Sequence, residues 1–231
     1  MNLNSKSRKL LLLQRNNLLS KKQKFLRKKF GRMFFTNIFI NFFQNKDITK
    51  VAEELFKKEI ETFKRFLPNR VSNIMDVGCG LGIIDIFLDR IYRNQANFYL
   101  LDKDRIDSKI KYGFSSDYES YNSLTETKKI LLENGFESNR INIYDVDQDI
   151  KIDKNIDLVI SLKSMGYHYP FENYIQLFKT CCNKDTTFIF DVATSQYKPF
   201  FFEKYFEEVQ TVYKEESIHS LKRLCCKRLK F

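Results

Sequence analysis

The chain has 231 residues, with 40 Lys and Arg against 29 Asp and Glu, a formal net charge of +11. The whole excess lies in residues 1–32, which hold eleven basic side chains and no acidic one, and a second basic cluster closes the chain at Lys222, Arg223, Lys227, Arg228 and Lys230. Between them, residues 33–220 carry 24 basic and 29 acidic side chains, which excludes a nucleic-acid surface made by a basic body and leaves only basic tails that would contact any polyanion.

The charge step and the length together suggest one domain, 47–231, behind a basic and Phe-rich extension, 1–46. Leu10–Leu13 is too short for the apolar core of a secretory signal, and no small-residue cleavage site follows. The Phe- and Ile-rich run 33–43 falls well short of the roughly 20 residues that a membrane helix needs, so no transmembrane segment is expected. Basic residues followed by aromatics suit peripheral membrane contact. The other reading is a helix that packs on the domain or covers its active site. Val51, Leu55, Phe56, Ile60, Phe63 and Leu67 share one face of a helix expected from Thr49 to Phe66, which Pro68 would end.

The organising stretch is Asn73-Ile-Met-Asp76-Val-Gly78-Cys79-Gly80-Leu81-Gly82-Ile-Ile. Ile74, Met75 and Val77 read as a buried strand, and Ile83, Ile84, Ile86, Phe87, Leu88 and Ile91 recur at helical spacing. A strand that feeds a helix through glycines gathers backbone N–H groups and a positive helix end at one point. The dinucleotide fingerprint is G-x-G-x-x-G, whereas here Asp76 and the glycines read D-x-G-x-G-x-G. That pattern resembles motif I of the class I S-adenosylmethionine (SAM)-dependent methyltransferases. The resemblance implies SAM as cofactor, with the turn Gly78, Cys79, Gly80 and Gly82 against its amino-acid end and Asp76 at the same end.

Asn97–Asp102 reads as a second strand ending in an acid, 24 residues beyond Gly78 and near the offset at which a carboxylate meets a ribose. Asp102 can accept from both ribose hydroxyls, and the resemblance gives it that role. The other reading is a cap on the next turn. Lys103 follows it and is counted with the cofactor residues. Residues 105–121, with Tyr112, Phe114, Tyr118 and Tyr121, form either a lid or an ordinary surface excursion. Ser123-Leu-Thr-Glu126 matches a capping box before a helix that Gly135 ends.

Arg140–Val146 reads as the third strand. The resemblance places Asp145 at the adenine amino group, with Asp147 as the alternative. Asp145, Asp147 and Asp149 lie in one polar turn without a histidine, so they read as solvated carboxylates and no metal is expected. Five cysteines in no C-x-x-C pattern and two histidines, His168 and His219, argue against structural zinc and for reduced thiols in a cytoplasmic protein. Ile156–Leu162 is the fourth strand, and Ser161 at its end joins the cofactor set. Lys163-Ser-Met-Gly-Tyr167-His168-Tyr169-Pro follows, where an open α/β sheet binds its ligand. The Asn-Pro-Pro-Tyr signature of many nucleic-acid amino methyltransferases is absent, against a DNA adenine substrate. His168 is the candidate base, because an unactivated hydroxyl needs its proton taken; packing within the loop is its other role. Lys163, Tyr167 and Tyr169 are the candidate acceptor-binding residues.

A helix from Phe171, a fifth strand at 186–192, a helix over 200–206 and two last strands, 209–213 and 219–229, complete the pattern. The alternation indicates an α/β protein. The resemblance, spanning 49–229, makes it a Rossmann-like doubly wound, mostly parallel seven-stranded sheet with helices on both faces and an antiparallel last strand. The function expected is methyl transfer from SAM to a small hydroxylated acceptor, such as a sugar. The alternatives are an RNA or protein methyltransferase that holds a polyanion with its basic tail, and a non-catalytic binding subunit of the same fold.

Overall fold

The computed structural model describes residues 1–42, 46–107, 120–198, 200–215 and 220–231. Its centre is a seven-stranded sheet: β1 (Asn73–Val77), β2 (Asn97–Asp102), β3 (Ile141–Asp145), β4 (Leu158–Ser161), β5 (Thr187–Ala193), β6 (Phe206–Glu215) and β7 (Leu221–Leu229), in the order β3-β2-β1-β4-β5-β7-β6. β1 to β5 pair in parallel, and β7 is antiparallel to both β5 and β6, which leaves it the single reversed strand. β1 and β4 sit at the centre, and their apolar runs are buried on both faces. The order reverses between β1 and β4, so β1 and β4 bound the crevice where such sheets bind ligands.

The helices are α1 (Ser5–Gln14), α2 (Lys21–Phe30), α3 (Arg32–Phe42), α4 (Lys46–Glu61), α5 (Ile83–Ile91), α6 (Leu124–Glu133) and α7 (Ile175–Cys181). One apolar cluster unites α1, α4, α5 and α6 with one face of the sheet. A second, rich in phenylalanine, fills the other face around Phe171, Phe178, Phe188, Phe190, Phe202 and Phe206. Leu10, Leu11 and Leu13 belong to the first cluster, beside Cys79 and Leu81, whereas Leu12 packs with Leu19, Phe35 and Phe39. The leucine run is thus apolar all round because α1 is covered on both sides. Asn4 caps α1, accepting from the Ser7 N–H at 2.9 Å.

Four local expectations differ from the structure. The helix expected to reach Phe66 ends at Glu61, and a single 3-10 turn covers Lys64–Phe66. Thr62 Oγ1 donates to the Glu59 carbonyl at 2.6 Å, and buried Arg223 reaches the same carbonyl at 3.3 Å, so both take up the last turn's acceptor. The Ser123–Glu126 capping box does not form: the Ser123 side chain makes no cap bond, and the Leu124 N–H donates to Asp104 Oδ1 at 2.8 Å. Glu126 instead accepts from Asn4 Nδ2 at 2.6 Å and Ser7 Oγ at 2.7 Å, which pins α1 to α6. The helix expected over 200–206 is one 3-10 turn, Phe201–Lys204, and Phe206 opens β6. The four-residue spacing of Phe202 and Phe206 mimics a helix face, but both enter the phenylalanine cluster from a turn and a strand. The last two strands run longer or start later than expected, at Phe206–Glu215 and Leu221–Leu229. His219, and the lid candidate's Tyr112, Phe114 and Tyr118, lie outside the described residues.

Candidate functional site

At the carboxyl ends of β1 and β2 the chain does two things at once. Gly78, Gly80 and Gly82 all take positive φ, 78°, 55° and 67°, which lets the turn fold tightly under the start of α5. The Gly78 and Cys79 N–H groups donate to the Leu101 carbonyl at 2.7 and 3.1 Å, locking the turn onto β2. A Cβ at Gly78 would overlap the Ser164 side chain, and one at Gly80 would stand 2.9 Å from Gln14 Oε1. The turn is therefore hemmed in by the segment after β4 on one side and by the end of α1 on the other.

Asp102 closes the other side of the turn. Its carboxylate accepts from the Gly80 N–H at 2.6 Å and from its neighbour Lys103's N–H at 2.7 Å. Each oxygen retains a lone pair for a further donor. Burial pushes the Asp102 carboxyl up to about 6, against the pull of those two N–H groups. Asp76 is buried at the end of β1, and its carboxyl is pushed well above the ordinary range by burial first, then by Asp85 and Asp102. Asp85, in the first turn of α5, is fully buried. Burial raises it to about 7, while a proton on Asp76 offers it a hydrogen bond. The two carboxyls thus share protons beneath the glycine turn.

This pair has a measurable consequence for stability. Between the ordinary carboxyl value of 3.8 and about 7 the folded chain holds a proton on Asp85 that the unfolded chain has lost. Stability of the ligand-free protein should therefore fall as pH rises through that window, and the raised carboxyls of Asp76 and Asp102 add to the same slope. Asp85→Asn should reduce that slope and stabilise the protein at pH 8 by about 1–3 kcal/mol, read from urea melts at several pH values. An unchanged slope would show that Asp85 is not the titrating group.

A cleft of 350 Å³ opens over this floor, within the size range of small-ligand sites. Of the residues singled out from sequence, Asp76, Gly78, Cys79, Gly80, Asp102, Lys163, His168 and Tyr169 line it. Five others do not. Gly82 instead caps α5 and abuts Leu131. The Ser161 hydroxyl is spent inside the fold, donating to the Val77 carbonyl at 2.6 Å and accepting from the Met165 N–H at 2.9 Å, and it is Ser164 that faces the cleft. Lys103 turns its ammonium to Asp147 at 3.3 Å and over the Tyr169 ring at 5.7 Å. Asp145, beside Asp102 in the β2–β3 register, accepts from the Asp147 N–H at 3.1 Å. Tyr167 stacks edge-on against His168, and burial, with Glu215 and Asp191 nearby, raises its phenol.

Sequence reasoning missed the walls supplied from far along the chain. Leu11, Leu13, Gln14 and Arg15 of the first helix and its end line the cleft, as do Arg32 and Asn122, beside Tyr121 of the lid candidate. Gln14 Nε2 donates to the Tyr121 carbonyl at 2.9 Å and to Asn122 Oδ1 at 3.3 Å, and the Arg32 guanidinium lies 4.9 Å over the Tyr121 ring. The one signal in the sequence was the leucine run, whose unbroken apolarity marks a helix with no solvent face. The Asn122 side chain stands at the Asp102 end and helps the two N–H groups hold that carboxyl down. Glycines that leave room against the backbone and an acid with spare lone pairs fit an adenosine-bearing ligand with ribose hydroxyls.

A doubly wound sheet of this order, with a glycine turn and paired acids at the ends of β1 and β2, defines a nucleotide-cofactor enzyme of the Rossmann-like class. Residues 48–228 match the methyltransferase-domain family, and the chain belongs to it as a class I SAM-dependent methyltransferase. Among solved structures it is similar to StiE O-MT, at 15% identity and TM-score 0.54, covering 83% of this chain and 80% of that one. It is similar also to a SAM-dependent methyltransferase from Aquifex aeolicus, at 10% identity and TM-score 0.50, covering 76% and 98%. A third, the SAM-dependent methyltransferase SibL, is 12% identical with TM-score 0.49, over 80% of this chain, which spans 59% of SibL. No curated protein matches the chain.

Proposed function

We propose that this protein transfers the methyl group of SAM to a hydroxyl oxygen of a small acceptor such as a sugar. The observation that carries the proposal is the joining of two chemistries in one cleft: the Asp102–glycine turn and the His168–Tyr169 segment beyond β4. When bound, SAM supplies an electrophilic methyl on a positively charged sulfur. Asp102 accepts from the ribose hydroxyls, the glycine turn and Asp76 take the amino-acid end, and Asp145 lies beyond Asp102 on the side expected for adenine. His168 takes the proton of the acceptor hydroxyl, which would otherwise be a poor nucleophile. Lys163 and Tyr169 flank His168 in the cleft wall and orient the acceptor, with Tyr167 behind them. The fold then contributes chiefly by alignment, holding the oxygen in line with the methyl carbon.

His168→Ala is expected to lower kcat by about 10²–10⁴-fold. Affinity for S-adenosylhomocysteine should not change. The direct test is a screen of sugars and other hydroxylated acceptors with methyl-labelled SAM, with the methylated atom assigned by NMR. An O-methyl product formed by the wild type and lost in His168→Ala is the result expected. A product methylated on nitrogen or carbon would sink the proposal.

A further inference from the structure

Helix α2 is built inside out. Its one buried side chain is Arg27, 7% exposed, whose guanidinium donates to the Leu12 carbonyl at 2.8 Å and so ties α2 to α1. Its large apolar side chains face outward: Phe25 is 66% exposed, Leu26 41% and Phe30 51%. Phe25 stands two residues from Arg27, on the opposite side of the helix. The pattern continues into α3, where Phe34 and Ile38 are 57% and 40% exposed. Leu26, Phe30, Phe34 and Ile38 follow at four-residue intervals, and the Phe30 and Phe34 rings meet at 6.3 Å across the Gly31 turn. Around this stripe Lys21, Lys22, Lys24, Lys28 and Lys29 are exposed, and residues 1–46 contain no acidic side chain.

A soluble helix that buries an arginine and exposes two phenylalanines and a leucine has its amphipathic face directed at something other than its own core. The surroundings limit what that is. A second copy of this chain would bring the same lysines against these. A nucleic acid would satisfy the lysines and stack on the phenylalanines, but Leu26 and Ile38 offer a base nothing. A bilayer interface takes all three groups, with rings and aliphatic side chains among the acyl chains and ammonium groups at anionic headgroups. The helices have 10 and 11 residues, and among the described residues no helix is long and apolar enough to cross a membrane, so the contact is with the surface.

We propose that the outer face of α2 and α3 docks this protein on an anionic lipid surface, through the Leu26–Phe30–Phe34–Ile38 stripe with Phe25 and the flanking lysines. Arg32, the first residue of α3, lines the cleft, so the docked face adjoins the candidate site. The proposal does not depend on the acceptor or on His168.

The test is sedimentation of the full chain with vesicles of phosphatidylcholine alone and of phosphatidylcholine mixed with phosphatidylglycerol. Binding to the mixed vesicles, weakened by salt and negligible on phosphatidylcholine alone, is the result expected. The triple variant Phe25→Ser, Phe30→Ser, Phe34→Ser should lose at least about tenfold in vesicle affinity, while its thermal midpoint holds because the three rings are exposed. A second variant, Lys28→Glu with Lys29→Glu, should lose at least about tenfold through charge alone, and serves if the first fails to fold. Failure of the wild type to bind the mixed vesicles overturns the proposal. So does binding that both variants retain in full, or binding to single-stranded RNA without binding to vesicles.

Discussion

Asp102→Ala is expected to weaken binding of SAM and S-adenosylhomocysteine by at least about 100-fold. A hydrogen bond to a charged group contributes about 1.5–3 kcal/mol, and the variant would remove the acceptor for two ribose hydroxyls. It would also strand the Gly80 N–H, which now donates to that carboxylate at 2.6 Å, and so loosen the glycine turn. Asp102→Asn, which keeps one acceptor oxygen and the side-chain shape, should fall between the two. Because burial lifts the Asp102 carboxyl to about 6, wild-type affinity should decline as pH drops below that value, and this decline should be absent in Asp102→Asn. Isothermal calorimetry on variants with unchanged circular dichroism decides the matter. Wild-type affinity in Asp102→Ala would mean that the cleft holds the ribose elsewhere or does not hold it.

The second large effect concerns stability. Arg223 is almost fully buried on β7 and meets Asp191 of β5 through two bonds, 2.7 Å from Nε and 2.9 Å from Nη2. Its other contacts are Thr62 Oγ1 at 2.7 Å and Glu59 Oε1 at 3.2 Å, and Arg15 at the end of α1 reaches the same Glu59 oxygen at 3.4 Å. Burial alone would raise the Glu59 carboxyl, but Arg15 and Arg223 hold it below the ordinary range. Arg223→Leu leaves Asp191 buried without its counter-charge, which typically costs about 3–5 kcal/mol. That is a large part of the roughly 5–15 kcal/mol available to a domain. Urea denaturation should show the loss, and the double variant Arg223→Leu, Asp191→Leu should recover much of it. A single variant that loses under about 1 kcal/mol would mean that water reaches Asp191.

The parts of the site that could be read from the sequence are those that a few neighbouring residues determine. Asp76, Gly78 and Gly80 are fixed by one strand-to-helix turn, and Asp102 by the strand beside it, so spacing brought them together, while Gly82, of the same turn, went to the helix cap. Ser161 and Ser164 show where that reasoning stops. Both lie near the end of β4, but Ser161 still belongs to the strand and spends its hydroxyl there, while Lys163 at φ 62° redirects the chain and puts Ser164 against Gly78. A left-handed lysine leaves no mark in a sequence. Glu126 fails differently: its local partner was Ser123, three residues away, but Asn4 and Ser7 from α1 compete for it and win. Gln14, Arg32 and Asn122 owe their positions to docking between distant segments, 107 and 108 residues apart for the two Gln14 bonds, which periodicity does not encode. Arg223 was read as part of a basic end cluster, although burial between β5 and α4 makes it a core residue.

The covered leucine run of α1 also bears on how the protein is made. Leu10, Leu11 and Leu13 leave the ribosome before Phe56, Leu81, Ile84 and the rest of the cluster that shields them. Their cluster is incomplete until the chain through α5 has been synthesised, and Glu126, which pins α1 from α6, arrives later still. During that interval a basic, leucine-rich helix is exposed to solvent and chaperones. Docking of α1 thus waits on segments made after it, and its arrival completes the cleft wall through Leu11, Leu13 and Gln14.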